Sequence, residues 1–113
     1  MLRFTCVMLA LALGACVQTA QTPEPTQAAL ARDGRDIAEA QCAACHSVGE
    51  YGESAMPNAP AFRSVLSRYR ADVLEEELIQ GIQVNHQMPD FQFNPQGADA
   101  LIAYLQSIQE DRR

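Results

Sequence analysis

Cys42, Cys45 and His46 fall within five consecutive positions, inside the stretch AQCAACHSVG at residues 40–49. Four kinds of arrangement use such a cluster: a redox dithiol, half of a zinc site, the anchor of a haem, or an ordinary helical turn with an incidental histidine. At i, i+3 on one face of a helix the two cysteine Cβ atoms lie about 5–6 Å apart. That spacing lets two thiols bond the vinyl groups on one side of a porphyrin, and His46, next in the chain, is then placed to offer a ring nitrogen to the iron. C-x-x-C-H is the signature of c-type haem attachment. A thioredoxin-like dithiol sits on a βαβ pattern, which is missing here. A tetrahedral zinc site needs a second pair of ligands, and only His86 and carboxylates remain to supply one. A disulfide between Cys42 and Cys45 would close too short a loop to stabilise the chain appreciably.

Iron held by His46 alone would be five-coordinate, so the residue on the opposite face decides between an electron carrier and a ligand binder. The candidates are Met88, Met56 and His86. Met56-Pro57 and Met88-Pro89 are both Met-Pro pairs, in which the fixed proline φ stiffens a loop. Met56 follows His46 too closely to wrap round a porphyrin rim with chain to spare. Met88 comes after two intervening apolar-periodic segments and before Phe91 and Phe93, which would supply an apolar wall. Met88 is therefore the expected sixth ligand, with His86 and Met56 as the alternatives.

These residues need elements to position them. Asp33 is a plausible N-cap for a helix running through Ile37 and Ala40 to the cysteine cluster. The stretch SVGEYGESAMPNAP, residues 47–60, is rich in Gly, Ser, Asn and Pro and reads as loop. Phe62, Val65, Leu66 and Tyr69 recur at i, i+3, i+4, i+7, predicting an amphipathic helix of about two turns. A further helix is predicted from Asp72, with Leu74, Leu78, Ile79 and Ile82 on one side, Glu75, Glu76 and Glu77 early in it, and Gly81 at its end. After a second loop, QVNHQMPDFQF, the last helix is predicted to open at Asn94 with Pro95 at its first position and to bury Ala98, Leu101, Ile102, Leu105 and Ile108. No segment alternates as a strand does. The fold class expected is all-α, with about four helices and two long loops, and loops of that length in so small a domain need something to pack on. A single covalently bound haem would serve.

Upstream, residues 1–15 carry Arg3 and then a nearly unbroken apolar run, the pattern of a secretion leader. The run is shorter than the ~20 residues a spanning helix needs. Leu13-Gly14-Ala15-Cys16 resembles the lipobox of bacterial lipoproteins, which makes Cys16 the expected lipidation site and mature N-terminus. Residues 16–32 are rich in Gln, Thr, Pro and Ala and read as a flexible tether, about 20 Å across as a coil and about 55 Å at full extension. Residues 33–113 form the expected domain. All 8 basic residues are arginines and the formal net charge is −6. An acidic chain of this size argues against nucleic acid, which wants a basic stripe, and favours basic partners.

Taken together, the chain resembles the class I cytochromes c over about Asp33 to Gln109. The resemblance rests on Gly34 eight residues before Cys42, CAACH, Pro60 in the following loop, MPDF at 88–91, and LIAYL at 101–105. It implies that Gly34 lets the last helix cross the first closely beside an aromatic, here Tyr104, and that the Pro60 carbonyl accepts the other N–H of His46. The family usually carries lysines round the exposed haem edge, and this chain has none. The function expected is one-electron transfer on haem c with His46 and Met88 as axial ligands, without catalysis on a small-molecule substrate. The expected setting is the periplasmic side of a bacterial envelope, with anchoring through Cys16 and redox proteins as partners. The rival expectations are a haem subunit fixed inside a larger oxidoreductase complex, and a sensor or gas-binding module with a labile sixth ligand.

Overall fold

Thr26 opens the first helix: its Oγ1 accepts the backbone N–H of Ala29 at 3.2 Å, which satisfies one of the free amides of a helix start. The computed structural model describes residues 24–82 and 88–110. The leader, Cys16, the start of the tether, and His86 therefore lie outside the described residues.

The described chain forms four helices and no strand: α1, Gln27–Gln41; α2, Phe62–Val65; α3, Ala71–Gln80; and α4, Pro95–Ser107. The expected all-α architecture of about four helices is the one observed. α1 starts ahead of Asp33, inside the stretch expected to be tether. Composition explains the difference: Gln27, Ala28, Ala29, Leu30 and Ala31 include few large apolar residues but are all strong helix formers, and Thr26 caps them. Asp33 is thus an interior helical residue rather than a cap.

α4 is the centre of the packing, and α1, α2 and α3 all contact it. Every residue from Ala100 to Leu105 is buried, together with Ala98 and Ile108, so the predicted stripe is inside and the helix is nearly encircled. Burying each of its Leu and Ile side chains stabilises by about 1.5–3 kcal/mol. Asn94 caps α4 through Oδ1, which accepts from Gly97 N at 2.8 Å, and Pro95 follows at its start, both as predicted.

The α1–α4 crossing depends on Gly34. A Cβ there would lie 1.9 Å from the carbonyl oxygen of Ala100 and 2.9 Å from the Cβ of Tyr104, so backbone stands where any side chain would begin. The Tyr104 hydroxyl continues outward and donates to Val48 O at 2.8 Å, tying α4 to the loop after His46.

α2 is one turn rather than two. Its continuation is cut off at Leu66, whose N–H donates to the side-chain oxygen of Gln109 at 3.1 Å. α3 ends on Gly81 at φ +101, a conformation open to glycine. Asp72 is the acid in its first turn. Glu75, Glu76 and Glu77 stand in its middle, beyond reach of the helix N-terminus, which corrects the electrostatic role expected for them.

Candidate functional site

α1 delivers the cysteine cluster and stops just short of it. Cys42 is the C-cap, with φ −114 and ψ −23, and its N–H donates to Ala38 O at 2.9 Å. Ala43 N donates to the same oxygen at 3.1 Å, which loosens the winding there. Cys42 O then accepts from both Cys45 N, at 3.1 Å, and His46 N, at 2.9 Å, closing a separate turn. The cluster was expected on the face of the helix; it sits instead in this turn, whose i→i+3 and i→i+4 bonds keep the two cysteines in helix-like relation.

His46 is held on its far side. Its Nδ1 lies 2.8 Å from the carbonyl oxygen of Pro60. A carbonyl has no proton to give, so Nδ1 carries a proton, and in the neutral ring the lone pair that a metal would take is on Nε2. The ring of Phe62 packs on the imidazole with centroids 5.2 Å apart and planes tilted by 51°. Phe62 N donates to Ser47 O at 2.9 Å, so the chain leaving His46 and the chain entering α2 are joined directly.

Both thiols are free. Cys42 packs against the core, and burial pushes its thiol up to about 11. It is a neutral thiol near pH 7, the opposite of the depressed thiolate that a redox dithiol uses. Among the described residues no group of three or more His, Cys, Asp and Glu side chains is arranged to hold a metal ion; His86, the further ligand a zinc site would draw on, lies outside them.

Met88 opens the described segment that leads into α4 and is half-buried. That segment is pinned to α3 by Phe93 N donating to Leu78 O at 2.9 Å, and Phe91 stacks on Phe93 at 6.1 Å between centroids. Met56 belongs to the cysteine side: its N–H donates to Cys45 O at 3.1 Å and its side chain is exposed. Leu66, Leu74, Ile79, Ile82 and Phe93 pack on the core yet stay only partly covered by the chain. Two thiols in one turn, an imidazole with Nε2 free and partly covered apolar side chains fit a covalently attached haem.

Two residues that pattern reading passed over organise this region. Gln109, buried at the end of α4, donates through Nε2 to Phe62 O and Leu105 O, both at 2.8 Å, while its oxygen takes Leu66 N. Arg63 binds Ser47, Gly52 and Glu110 at once. Their sequence signals are slight: one polar residue just past an apolar stripe, and one charge beside Phe62.

Residues 29–105 match the family model described as cytochrome C oxidase, cbb3-type, subunit III. No curated protein and no solved structure gives a match.

Proposed function

The chain belongs to the cbb3-type cytochrome c oxidase subunit III family, and from that footing we propose that it carries one electron at a time on a single haem c bound through Cys42 and Cys45, with His46 and Met88 as axial ligands. The membership itself assigns a c-type haem electron-transfer role; the ligand pair and the setting are our reading. The observation that carries it is the 2.8 Å contact from His46 Nδ1 to Pro60 O, which leaves Nε2 of the histidine next to Cys45 as a lone-pair donor.

When bound, the haem supplies a one-electron iron couple. Cys42 and Cys45 hold it by thioether bonds, so a small core need not retain it by burial alone. Pro60 O fixes the tautomer of His46 and raises the donor strength of Nε2. The Met88 thioether favours the ferrous state and raises the potential, as Met/His ligation does. With Met88 and His46 in place, neither axial position is left for an exogenous ligand. Under this reading the domain works outside the cytoplasm. Among the described residues no helix is long and apolar enough to cross a membrane, and attachment would come from acylation of Cys16. The formal charge of −6 favours partners with a basic docking face.

Replacing Met88 by Ala tests the ligand pair. The oxidised protein is expected to lose its methionine-to-iron charge-transfer band, and the reduced protein to bind carbon monoxide rapidly, with a fall in potential. A Met88→Ala protein that stays six-coordinate at an unchanged potential overturns the assignment. Mass spectrometry of the mature N-terminus tests Cys16, and an unmodified terminus removes the anchoring.

A second reading, a haem subunit fixed in an oxidase, is favoured by the description of the matched family as an oxidase subunit. Stable copurification with one enzyme at a defined ratio would select it over a shuttle.

A further inference from the structure

Two groups face His46 from residues 60–63, the carbonyl of Pro60 and the ring of Phe62. Neither is held by extended regular structure, since α2 is a single turn of 4 residues and residues 47–60 form a long loop. Phe62 N donates to Ser47 O at 2.9 Å, and around that one backbone bond the segment is braced by the guanidinium of Arg63, whose side chain is only 16% exposed. Its Nε donates to Glu110 Oε1 at 2.7 Å, and its Nη1 donates to Gly52 O at 2.8 Å and to Ser47 Oγ at 3.2 Å. One planar group thereby joins the residue after His46, the tip of the following loop and the C-terminal end of α4. Gln109 adds a bond from that same end of α4 to Phe62 O.

We propose that Arg63 is a positioning residue for His46: it fixes the spacing between the chain leaving the histidine and the segment that carries Pro60 and Phe62, and so keeps the Pro60 carbonyl on the imidazole N–H. This rests on His46 being the haem ligand. The role belongs to the shape of the guanidinium more than to its charge. A guanidinium offers five N–H donors in a rigid fork, and these acceptors lie in different directions, one of them a neutral carbonyl and one a hydroxyl. The contact to Glu53 is long, 3.8 Å, and Glu53 is almost fully exposed, so that ion pair contributes little. A lysine ammonium in the same place would keep the charge and lose the simultaneous reach.

The test is proton NMR of the full-length holoprotein. In the wild type the His46 Nδ1–H is expected to give a slowly exchanging resonance, because its proton is hydrogen-bonded to the Pro60 carbonyl, and the oxidised haem methyl shifts report the ring plane of the axial histidine. Arg63→Gln is expected to speed exchange of that proton at least tenfold and to change the methyl shift pattern, with Met88 still ligated in the visible spectrum. Arg63→Lys is expected to give the same two changes. Glu110→Gln, which leaves the arginine in place, is expected to move both in the same direction by a smaller factor and covers the case in which Arg63→Gln does not fold. Thr26→Ala removes the distant cap of α1 and is expected to lower stability without moving either signal, which separates positioning from general loosening. Exchange within twofold of wild type in the Arg63 variants, or full restoration by Lys, overturns the proposal. If the wild type shows no haem-shifted His46 signal at all, the ligand assignment fails instead.

Discussion

Because a carbonyl can only accept, Pro60 imposes on His46 the tautomer a metal ligand needs, and that constraint is made of one hydrogen bond 14 residues across the loop. Single polar side chains bear similar weight elsewhere. Gln109 is 5% exposed and satisfies Leu66 N, Phe62 O and Leu105 O together. Replacing it by Leu keeps the volume and removes all three bonds at a buried position, leaving Phe62 O and Leu105 O each short of an amide donor. We expect Gln109→Leu to lose about 2–3 kcal/mol by denaturant titration, a cost far above that of an exposed Gln. At this scale C-x-x-C-H is a local signal that singles out Cys42, Cys45 and His46, whereas the Pro60–His46 contact was expected only from the resemblance to class I cytochromes c, since a loop proline by itself does not name its partner. Arg63 and Gln109 were not legible. Their roles come from partners 47 and 43 residues away in the chain, and neither periodicity nor composition encodes those pairings.

Among elements, the helix starts were legible where a cap side chain and a proline coincide, as at Asn94-Pro95, and illegible where composition looked loose, as at Thr26 before QAALA. The α1–α4 crossing is the more demanding joint. With Ala100 O 1.9 Å from the position of a Gly34 Cβ, the helices must separate to admit even a methyl group. Gly34→Ala is expected to destabilise by about 3 kcal/mol despite the better helix propensity of alanine. Thermal unfolding checks it, and a neutral or stabilising result would mean the crossing is not as tight as described. Asn94→Ala removes only the cap on Gly97 N and is expected to cost about 1 kcal/mol. The contrast between these two measures how much of the fold rests on close packing and how much on local capping. The cysteine turn shows the same limit from the other side: i, i+3 spacing fits both a helix and the separate turn that Cys42 O closes, so periodicity alone could not choose between them.

Over the whole molecule, acidity is unevenly balanced. Arg35 pairs with Glu39, Arg63 with Glu110, and Arg70 with Asp72, whose carboxyl the Arg70 hydrogen bond holds below its ordinary range. Where α3 meets α4 the acids instead face one another. Glu75 is held above its ordinary value of 4.5, first by partial burial, then by its hydrogen bond and charge contact with Asp99, with Glu76 and Asp72 adding to the field. A carboxyl whose folded-state pKa is raised binds its proton more tightly folded than unfolded. It therefore favours folding at low pH, and that contribution is lost as pH rises from the ordinary glutamate value through the raised one. Asp72, with its pKa lowered, acts with the opposite sign, but it is exposed and paired to a single arginine, so solvent screens it. Glu75→Gln should consequently raise the melting temperature near neutral pH, above the raised Glu75 value, and the gain should shrink as pH falls through that value and disappear once pH is well below the ordinary glutamate value of 4.5. Melting curves of both proteins across that range, at low salt, provide the check. A gain independent of pH would place the benefit in helix propensity or packing, and no gain at neutral pH would mean that solvent already screens the α3–α4 pair.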